Sequence, residues 1–323
     1  MKPKSQANPP KTLSSGTPSM TYGRIAGLDR DISKLVMGCD NQMTFPHAQA
    51  MFDAWFEAGG NAFDTAYHYN KGLQETFLGQ WHTQRHVRDD IVITVKGACV
   101  PHCNPQAIRD QLQVSLDRLQ IDCADLYFMH RDNLDVPVGE FIDVLHEETQ
   151  AGRLRIAGGS NWSRARFEEA NAYAEKNGKQ KLSFLGNNFS LAKMIHPVWP
   201  GCVTANTPNF RAFLETTQTP HLAWSSQARG YFISPDTRIS TPKWEHANAW
   251  DNADNRMRRK RAFELASQHG VTAMNIAAAY VLAQAFPSFA LIGPRTLEEL
   301  RTTLPALGIH LTAQEIAYLD LRE

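Results

Sequence analysis

Short apolar runs of strand-like composition alternate with amphipathic helical patterns along most of this chain. Eight such runs occur, at residues 34–38, 61–66, 90–97, 125–130, 154–160, 182–187, 221–225 and 289–293. Strands separated by helical patterns are typical of repeated βα units, in which the strands pair in parallel. No Gly-x-Gly-x-x-Gly motif follows the first run, which argues against an open dinucleotide-binding sheet. We therefore predict an α/β fold whose eight strands close into a single (β/α)8 TIM barrel.

Helix start and stop signals agree with this pattern. Residues 48–58 carry apolar side chains at helical spacing and end at the Gly-Gly pair 59–60, which stops a helix. Residues 106–119 show the same spacing, and the Asn-Pro pair 104–105 supplies an N-cap and a first turn. The strands are therefore expected to alternate with an outer layer of helices.

The length of the chain suits one barrel domain. Its 323 residues exceed the roughly 250 of a typical (β/α)8 barrel, and we assign the rest to loop and helix additions, chiefly toward the C-terminus. Residues 1–20 are rich in Pro, Ser, Thr and Lys, which predicts a disordered tail before a barrel at residues 21–323. Residues 22–25 and 32–36 predict a β-hairpin that leads into the first barrel strand.

The overall charge is balanced, with 33 Lys and Arg residues against 33 Asp and Glu residues. This balance gives no electrostatic footprint for nucleic acid or for anionic lipid. No run of about 18 apolar residues occurs, and the first 20 residues lack the apolar core of a secretory signal. We expect a cytoplasmic protein whose partner is a small molecule, and the sequence predicts no particular oligomeric state.

The five cysteines are odd in number and show no disulfide-framework spacing, so reduced thiols are expected. Cys99 and Cys103 flank His102 closely enough to suggest metal ligands, but no second pair occurs at zinc-site spacing. We therefore predict no metal site. The segment follows the strand at residues 90–97, which favours a loop beside the substrate pocket.

Four residues at or just beyond strand ends, Asp64, Tyr69, Lys96 and His130, together suit proton transfer to a carbonyl group. A parallel barrel gathers such strand ends on one face. A free tyrosine has a pKa of about 10, which a neighbouring lysine ammonium would lower while a carboxylate keeps the lysine charged. A neutral histidine could hydrogen-bond the carbonyl oxygen and stabilise the developing alkoxide. None of these groups supplies a hydride, so a nicotinamide cofactor is required.

Three of these four residues also have an ordinary structural interpretation. An aspartate at a strand end often caps a turn, a buried lysine usually has an ion-pair partner, and a buried histidine is commonly a core residue. The order and spacing of all four favour the catalytic hypothesis.

Four motifs in this chain resemble the aldo-keto reductases, and they occur in family order. They are residues 63–69 (FDTAYHY), 95–97 (VKG), 127–130 (YFMH) and 152–161 (GRLRIAGGSN). The resemblance extends from about residue 22 to the end of the chain. It implies a (β/α)8 barrel closed by the hairpin, with Tyr69 as the acid, Lys96 and Asp64 as its partners, and His130 as the substrate-orienting histidine.

The resemblance also implies how the cofactor binds. Ser160 and Asn161 match the family's nicotinamide carboxamide contacts, and Trp224 matches the ring that stacks on the nicotinamide. The family's sixth-strand glutamine is missing, and Asn187 or Asn188 is the candidate to replace it. The residues matched to the pyrophosphate and adenosine-phosphate segments are Ser225, Gln227, Arg229, Gly293, Arg295, Thr296 and Glu299.

The cofactor is expected to be NADPH, with NADH possible. Arg295 and Thr296 suit a 2′-phosphate, because a guanidinium pairs well with phosphate. Glu299 stands where members that use NADPH often carry arginine or glutamine, and a carboxylate suits a free ribose 2′-hydroxyl.

Further residues near the strand ends are candidates for substrate contacts: Asp40, Tyr67, His68, His102, Arg131 and Trp162. Many of them are polar or charged, which favours a hydroxylated or anionic carbonyl compound such as a sugar-derived aldehyde. The alternative is a regulatory protein that binds the cofactor and turns over slowly, resembling the potassium-channel β subunits of this family.

Overall fold

A computed structural model describes residues 18–233 and 247–322 of the chain. Its strands are β1 (Tyr22–Gly23), β2 (Ile32–Ser33), β3 (Leu35–Gly38), β4 (Ala62–Asp64), β5 (Val92–Gly97), β6 (Ala124–Met129), β7 (Leu154–Ser160), β8 (Phe184–Gly186), β9 (His221–Ala223) and β10 (Ser288–Ile292). Its helices are α1 (Phe45–Glu57), α2 (Leu73–Arg85), α3 (Pro105–Leu119), α4 (Val138–Gln150), α5 (Arg164–Lys176), α6 (Pro208–Thr217), α7 (Ala247–Trp250), α8 (Ala253–His269), α9 (Ala273–Leu282), α10 (Leu297–Thr303) and α11 (Ala313–Leu319). None of the helices described is long and apolar enough to cross a membrane.

Strands β3 to β10 form a closed parallel barrel. Each pairs with the next along the chain, and β10 closes the ring on β3, with Ala290 opposite Leu35. The predicted (β/α)8 fold is therefore confirmed. The helix additions expected toward the C-terminus are present as well, because α7 to α9 separate β9 from β10 and α11 follows α10.

The N-terminal hairpin closes one end of the barrel, as predicted. β1 and β2 pair antiparallel, with Tyr22 opposite Ser33. Ile25, Leu28 and Ile32 pack in one buried cluster with interior side chains from the first halves of the strands, such as Val92. Apolar side chains from the hairpin thus fill the end of the barrel where the strands begin.

Of the predicted disordered tail at residues 1–20, residues 1–17 lie outside the described residues. Met20 belongs to the larger buried cluster, which lies between the strands and the helices.

Aromatic rings dominate part of the layer between the strands and the helices: the Phe52 ring lies 5.6 Å from the rings of both Phe63 and Trp81. Helices α1 and α2 are held against β4 by these contacts.

Helix boundaries follow the local chemistry. α1 begins three residues before the predicted start, because Thr44 has the extended backbone of an N-cap and Pro46 fits the first turn. It stops where Gly59 takes a left-handed conformation with φ of 88°. Asn104 caps α3 as predicted, since its side chain accepts a 2.8 Å hydrogen bond from the backbone N–H of Ala107.

Candidate active site

Side chains that point into the barrel become polar at the C-terminal ends of the strands. The interior cluster includes at least one residue from each barrel strand, among them Val36, Ala62, Val92, Leu126, Ile156, Phe184, Leu222 and Phe289. Alternate residues of a strand face the same side, so the residues two or four positions later also point inward. Those positions hold Asp40, Asp64, Lys96, His130, Ser160, Asn188, Trp224 and Gly293. Six of these eight positions, at or just past the strand ends, hold polar or charged side chains, which form one polar site at the C-terminal face.

Asp64 and Lys96 form a buried ion pair between β4 and β5. The Lys96 ammonium donates a hydrogen bond to the Asp64 carboxylate, and the two side chains are only 5% and 4% exposed. Burial raises the pKa of Asp64, whereas the charge and hydrogen bond of Lys96 act in the opposite direction. Removing one partner of such a pair leaves a buried charge uncompensated, which costs roughly 3–5 kcal/mol. The pair therefore fixes the ammonium beside Tyr69.

Tyr69 opens the 3₁₀ turn Tyr69–Gly72 that follows β4. The Lys96 Nζ atom lies 5.2 Å from the centroid of its ring. Burial raises the pKa of Tyr69 well above its usual value, and the charges of Asp64 and Asp40 raise it further. This direction is opposite to the lowering predicted from the sequence, because desolvation and the two carboxylates dominate and the Lys96 ammonium donates to Asp64. Tyr69 is therefore a neutral phenol at pH 7, the form that can donate a proton.

His130 completes a cluster of three rings at the end of β6. Its ring centroid lies 5.8 Å from that of Tyr69 and 4.6 Å from that of His68, and the His68 and Tyr69 centroids are 5.2 Å apart. Burial lowers the pKa of His130 well below its usual range, and the charge of Lys96 adds to the effect. The imidazole is neutral at pH 7, which agrees with the sequence-based expectation.

Arg131 extends the site on the side of β6. Its guanidinium donates to the His130 carbonyl at 3.1 Å and approaches the Cys202 sulfur at 3.7 Å. The indole N–H of Trp162 donates to the Arg131 carbonyl at 3.3 Å, and the Trp162 side chain is completely buried. Trp162 therefore supports the segment that carries Arg131, and its predicted contact with the substrate stays a prediction.

The other predicted substrate residues divide into two groups. Asp40 lies close enough for its charge to raise the pKa of Tyr69. Tyr67 instead packs its ring against the Arg118 guanidinium at 4.8 Å, in the region of helix α3. His102 is exposed in a turn, where its backbone N–H donates to the Cys99 carbonyl at 2.9 Å. The structure thus brings Asp40, with His68 and Arg131, to the four central residues, whereas the contacts of Tyr67 and His102 lie elsewhere.

Ser160 and Asn161 lie buried beside His130 at the end of β7. The Ser160 hydroxyl donates to the Gly186 carbonyl at 2.9 Å, and the Asn161 amide donates to the Ser160 oxygen at 3.1 Å. The same amide makes a longer bond of 3.4 Å to the His130 carbonyl. Asn161 has a left-handed φ of 58°, an uncommon conformation for a residue other than glycine.

The side-chain amides of the two asparagines after β8 donate hydrogen bonds to backbone carbonyls of the protein. Asn187 donates to the Trp162 carbonyl at 2.8 Å, and Asn188 donates to the Trp224 carbonyl at 3.3 Å. The Asn188 oxygen also accepts from the Thr204 hydroxyl at 3.3 Å, and the residue is completely buried. The Asn188 amide thus holds the backbone of Trp224, and its predicted contact with the cofactor stays a prediction.

The segment after β9 combines an aromatic ring with strained backbone. The Trp224 ring is half-buried and lies 6.2 Å from the Trp199 ring, whose centroid is 5.2 Å from the Arg229 guanidinium. Ser225 and Arg229 both have a left-handed φ of 50°. Gln227 donates to the Met274 carbonyl at 3.3 Å. Such strain in non-glycine residues clusters at functional sites.

In the segment after β10, Arg295 and Glu299 form an ion pair with each other. The sequence had suggested two competing contacts with the cofactor, Arg295 with a 2′-phosphate or Glu299 with a ribose 2′-hydroxyl. The Arg295 guanidinium and backbone N–H each lie 2.7 Å from the Glu299 carboxylate. Thr296 caps α10 by accepting from the Glu299 N–H at 3.1 Å, and the Gly293 carbonyl accepts from Asn41 at 3.1 Å. Any anion that binds Arg295 must therefore compete with Glu299.

Two residues at this face were not among the predicted site residues. Cys99 follows β5 by two residues, and its sulfur lies within 4.8 Å of ring nitrogens of His68 and His130. Trp199 lies in the long segment after β8, where no periodic pattern marks it. Only the position of Cys99, three residues after Lys96, offered a signal in the sequence.

Comparison with known proteins agrees with the barrel fold. The aldo/keto reductase family model matches residues 34–321, and the chain belongs to this family of oxidoreductases. It is therefore an enzyme of carbonyl reduction.

Several relatives support the same assignment. The chain is 28% identical over 303 residues to the norsolorinic acid reductase of Aspergillus flavus, covering 89% of this chain and 73% of that protein. It is 26% identical over 299 residues to a "Probable aryl-alcohol dehydrogenase" of Saccharomyces cerevisiae, covering 86% and 88% of the two chains. The fold resembles that of the thermostable aldo-keto reductase Tm1743, with a TM-score of 0.75 at 21% identity, over 94% of this chain and 100% of the other.

Proposed function

We propose that this enzyme uses NADPH to reduce the carbonyl group of a small molecule, with Tyr69 as the proton donor. The observation that carries the proposal is the convergence of Tyr69, His130 and the Asp64–Lys96 pair at one end of the barrel. A bound nicotinamide cofactor would supply the hydride. The residues of the chain would position the carbonyl and deliver the proton.

In the proposed mechanism, neutral His130 donates a hydrogen bond to the carbonyl oxygen and orients it. Tyr69 then gives its proton to that oxygen as negative charge develops there. The Lys96 ammonium, 5.2 Å from the tyrosine ring, stabilises the phenolate that results. Asp64 keeps Lys96 charged and in place. His130 and Tyr69 thus act directly on the carbonyl oxygen, and Lys96 and Asp64 act through Tyr69.

The chemistry of the surrounding residues fits a nicotinamide cofactor. Asn161 can exchange its long 3.4 Å bond to His130 for a carboxamide oxygen, and the half-buried Trp224 ring offers a flat stacking surface. The left-handed backbone at Ser225 and Arg229 suits a pyrophosphate contact. Arg295 supports NADPH over NADH, because its guanidinium could share its present bond to Glu299 with a 2′-phosphate.

The rim of the site supports a substrate with an apolar or aromatic body. Large apolar side chains are exposed on the loops that follow β3, β5, β6 and β8, namely Met43, Val100, Leu134 and Trp199. A ring-bearing carbonyl compound would cover such surface, and Arg131 would meet a polar or acidic substituent. The names of the two relatives, which refer to norsolorinic acid and to aryl alcohols, agree with this choice. The sugar-like carbonyl remains the second candidate, and the polar groups of Asp40 and His68 favour it.

A cofactor-oxidation assay with a panel of carbonyl compounds tests the proposal. The panel pairs aryl aldehydes and aryl ketones with sugar-derived aldehydes of similar size, each with NADPH and with NADH. We expect the highest kcat/KM for an aryl carbonyl bearing an acidic or hydroxyl group, with NADPH. Preference for the sugar aldehydes would favour the second candidate. Tight NADPH binding without turnover of any compound would instead support the slow regulatory protein.

A further inference from the structure

Three potential metal-ligating side chains converge at the C-terminal face of the barrel. The ligand atoms of His68, Cys99 and His130 all lie within 4.8 Å of one another. They come from three separate segments, the loops after β4 and β5 and the end of β6. No other trio of His, Cys, Asp or Glu side chains in residues 18–233 and 247–322 brings its ligand atoms together in this way.

The donor set selects a particular class of ion. Imidazole and thiolate ligands suit Zn²⁺ and related transition metals, whereas Mg²⁺ and Ca²⁺ require oxygen ligands. Tetrahedral Zn²⁺, with bonds of about 2.3 Å to sulfur and about 2.0 Å to nitrogen, places its ligand atoms about 3.5 Å apart. The donors must therefore approach by about 1 Å. The exposed His68 and half-buried Cys99 can make this adjustment around the fixed His130.

The surrounding charges set limits on the affinity. Arg131 acts electrostatically on all three donors and opposes a cation. The charge of Lys96 also acts on His68 and His130 and opposes a cation there, although its ammonium is paired with Asp64. Loss of the Cys99 proton adds one negative charge at the site. We therefore expect a reversible site that needs the thiolate.

We propose that His68, Cys99 and His130 bind one divalent metal ion that prefers thiolate ligands, such as Zn²⁺. The bound ion inhibits carbonyl reduction. Binding forms one metal–sulfur and two metal–nitrogen bonds, and the Cys99 thiol releases its proton to solvent. The ion occupies His130 and the space where the carbonyl would lie. The inhibition rests on the proposed function, whereas the binding does not.

Titration of the cofactor-free protein with Co²⁺, followed by displacement with Zn²⁺, tests the binding. We expect one equivalent of Co²⁺ to produce a thiolate-to-metal charge-transfer band in the near ultraviolet. Cys99→Ser should abolish this band, and His68→Gln should weaken Co²⁺ binding at least about tenfold, as expected on losing a ligand. Cys123→Ser is the matched control, because this half-exposed thiol lies before β6, at the opposite end of the barrel. A missing band, or one that survives in Cys99→Ser, would overturn the site.

The inhibitory effect is measured separately, with each variant compared with its own metal-free rate. Zn²⁺ should slow NADPH oxidation by the unmodified enzyme and by Cys123→Ser, a chelator should restore the rate, and Mg²⁺ should have no effect. Cys99→Ser should resist Zn²⁺. Equal inhibition of Cys99→Ser would overturn the inhibitory role. Failure of the metal-free enzyme to turn over any carbonyl would count against the proposed function and leave the Co²⁺ result to decide the binding.

Discussion

At the scale of single residues, burial and two carboxylates control the proton of Tyr69. Desolvation and the charges of Asp64 and Asp40 all disfavour the phenolate. Lys96, the group expected to favour the phenolate, directs its ammonium at Asp64. Tyr69 is therefore protonated in the resting site. This state is suited to the direction in which a carbonyl oxygen receives that proton.

The raised pKa of Tyr69 leads to a prediction about pH. An acid with a raised pKa stays protonated until the pH passes that value, so the donor is present at neutral pH and is lost only in alkaline solution. We expect kcat for carbonyl reduction to stay level from about pH 6 to about pH 9. Oxidation of the product alcohol needs the phenolate and should rise by about tenfold per pH unit over the same range. Rates measured in both directions with saturating cofactor check this. A fall in reduction with an apparent pKa near 7 would contradict it.

At the scale of elements, the turn between β10 and α10 sets the cofactor preference through one ion pair. Arg295 and Glu299 are one helical turn apart, and both are partly exposed. The carboxylate partly neutralises the guanidinium and must share it with any arriving phosphate.

Substitutions in this turn should therefore move NADPH affinity in opposite directions. We expect Arg295→Ala to weaken NADPH binding by about 1.5–3 kcal/mol, the worth of a charge-assisted hydrogen bond, and to leave NADH binding nearly unchanged. Glu299→Gln should strengthen NADPH binding, because it frees the guanidinium. Quenching of intrinsic fluorescence on titration with each cofactor reports both affinities. Glu298→Gln is the control, since it makes the same charge change on the exposed side of α10. Equal NADPH curves for Arg295→Ala and the unmodified protein would contradict the assignment.

At the scale of the whole molecule, the two ends of the barrel have separate tasks. The hairpin fills the end where the strands begin, with Ile25 completely buried against the interior cluster. The polar site occupies the other end. Stability and chemistry should therefore respond to different substitutions.

Truncation in the hairpin tests this separation. We expect Ile25→Ala to lower the free energy of unfolding by about 2–5 kcal/mol, as for other isoleucines removed from a core. At a temperature where the variant stays folded, kcat/KM should be unchanged. Urea unfolding, alongside the cofactor-oxidation assay, measures both. Val114→Ala, at an exposed apolar position of α3, should change neither. A loss of activity without a loss of stability in Ile25→Ala would contradict the account.

The sequence predicted the barrel well because apolar, strand-like runs alternate with amphipathic helical patterns along the chain. The positions of Asp64, Lys96 and His130 at or just beyond strand ends likewise predicted that they share one face. The sequence could not predict where the rings of Tyr67 and Trp162 would pack, since those directions depend on Arg118 and on the Arg131 carbonyl.

Contacts with residues distant in sequence also determine the pKa of a side chain and the hydrogen bonds of a side-chain amide. The pKa of Tyr69 is raised by burial and by the charges of Asp64 and Asp40, and the hydrogen bonds of the Asn188 amide depend on Trp224 and Thr204. Such contacts form only when the whole barrel closes.

The most direct test of the account is the rate of NADPH oxidation by Tyr69→Phe in a single turnover with the best carbonyl of the panel. The ring keeps nearly the same volume, so NADPH should bind with unchanged affinity. We predict a rate lower by about 10²–10⁴, the usual contribution of a general acid. Tyr173→Phe, which removes a hydroxyl bonded to Asp143 in the helix layer, should react at the normal rate. A Tyr69→Phe variant that binds NADPH normally and reduces the carbonyl at nearly the full rate would contradict the central claim.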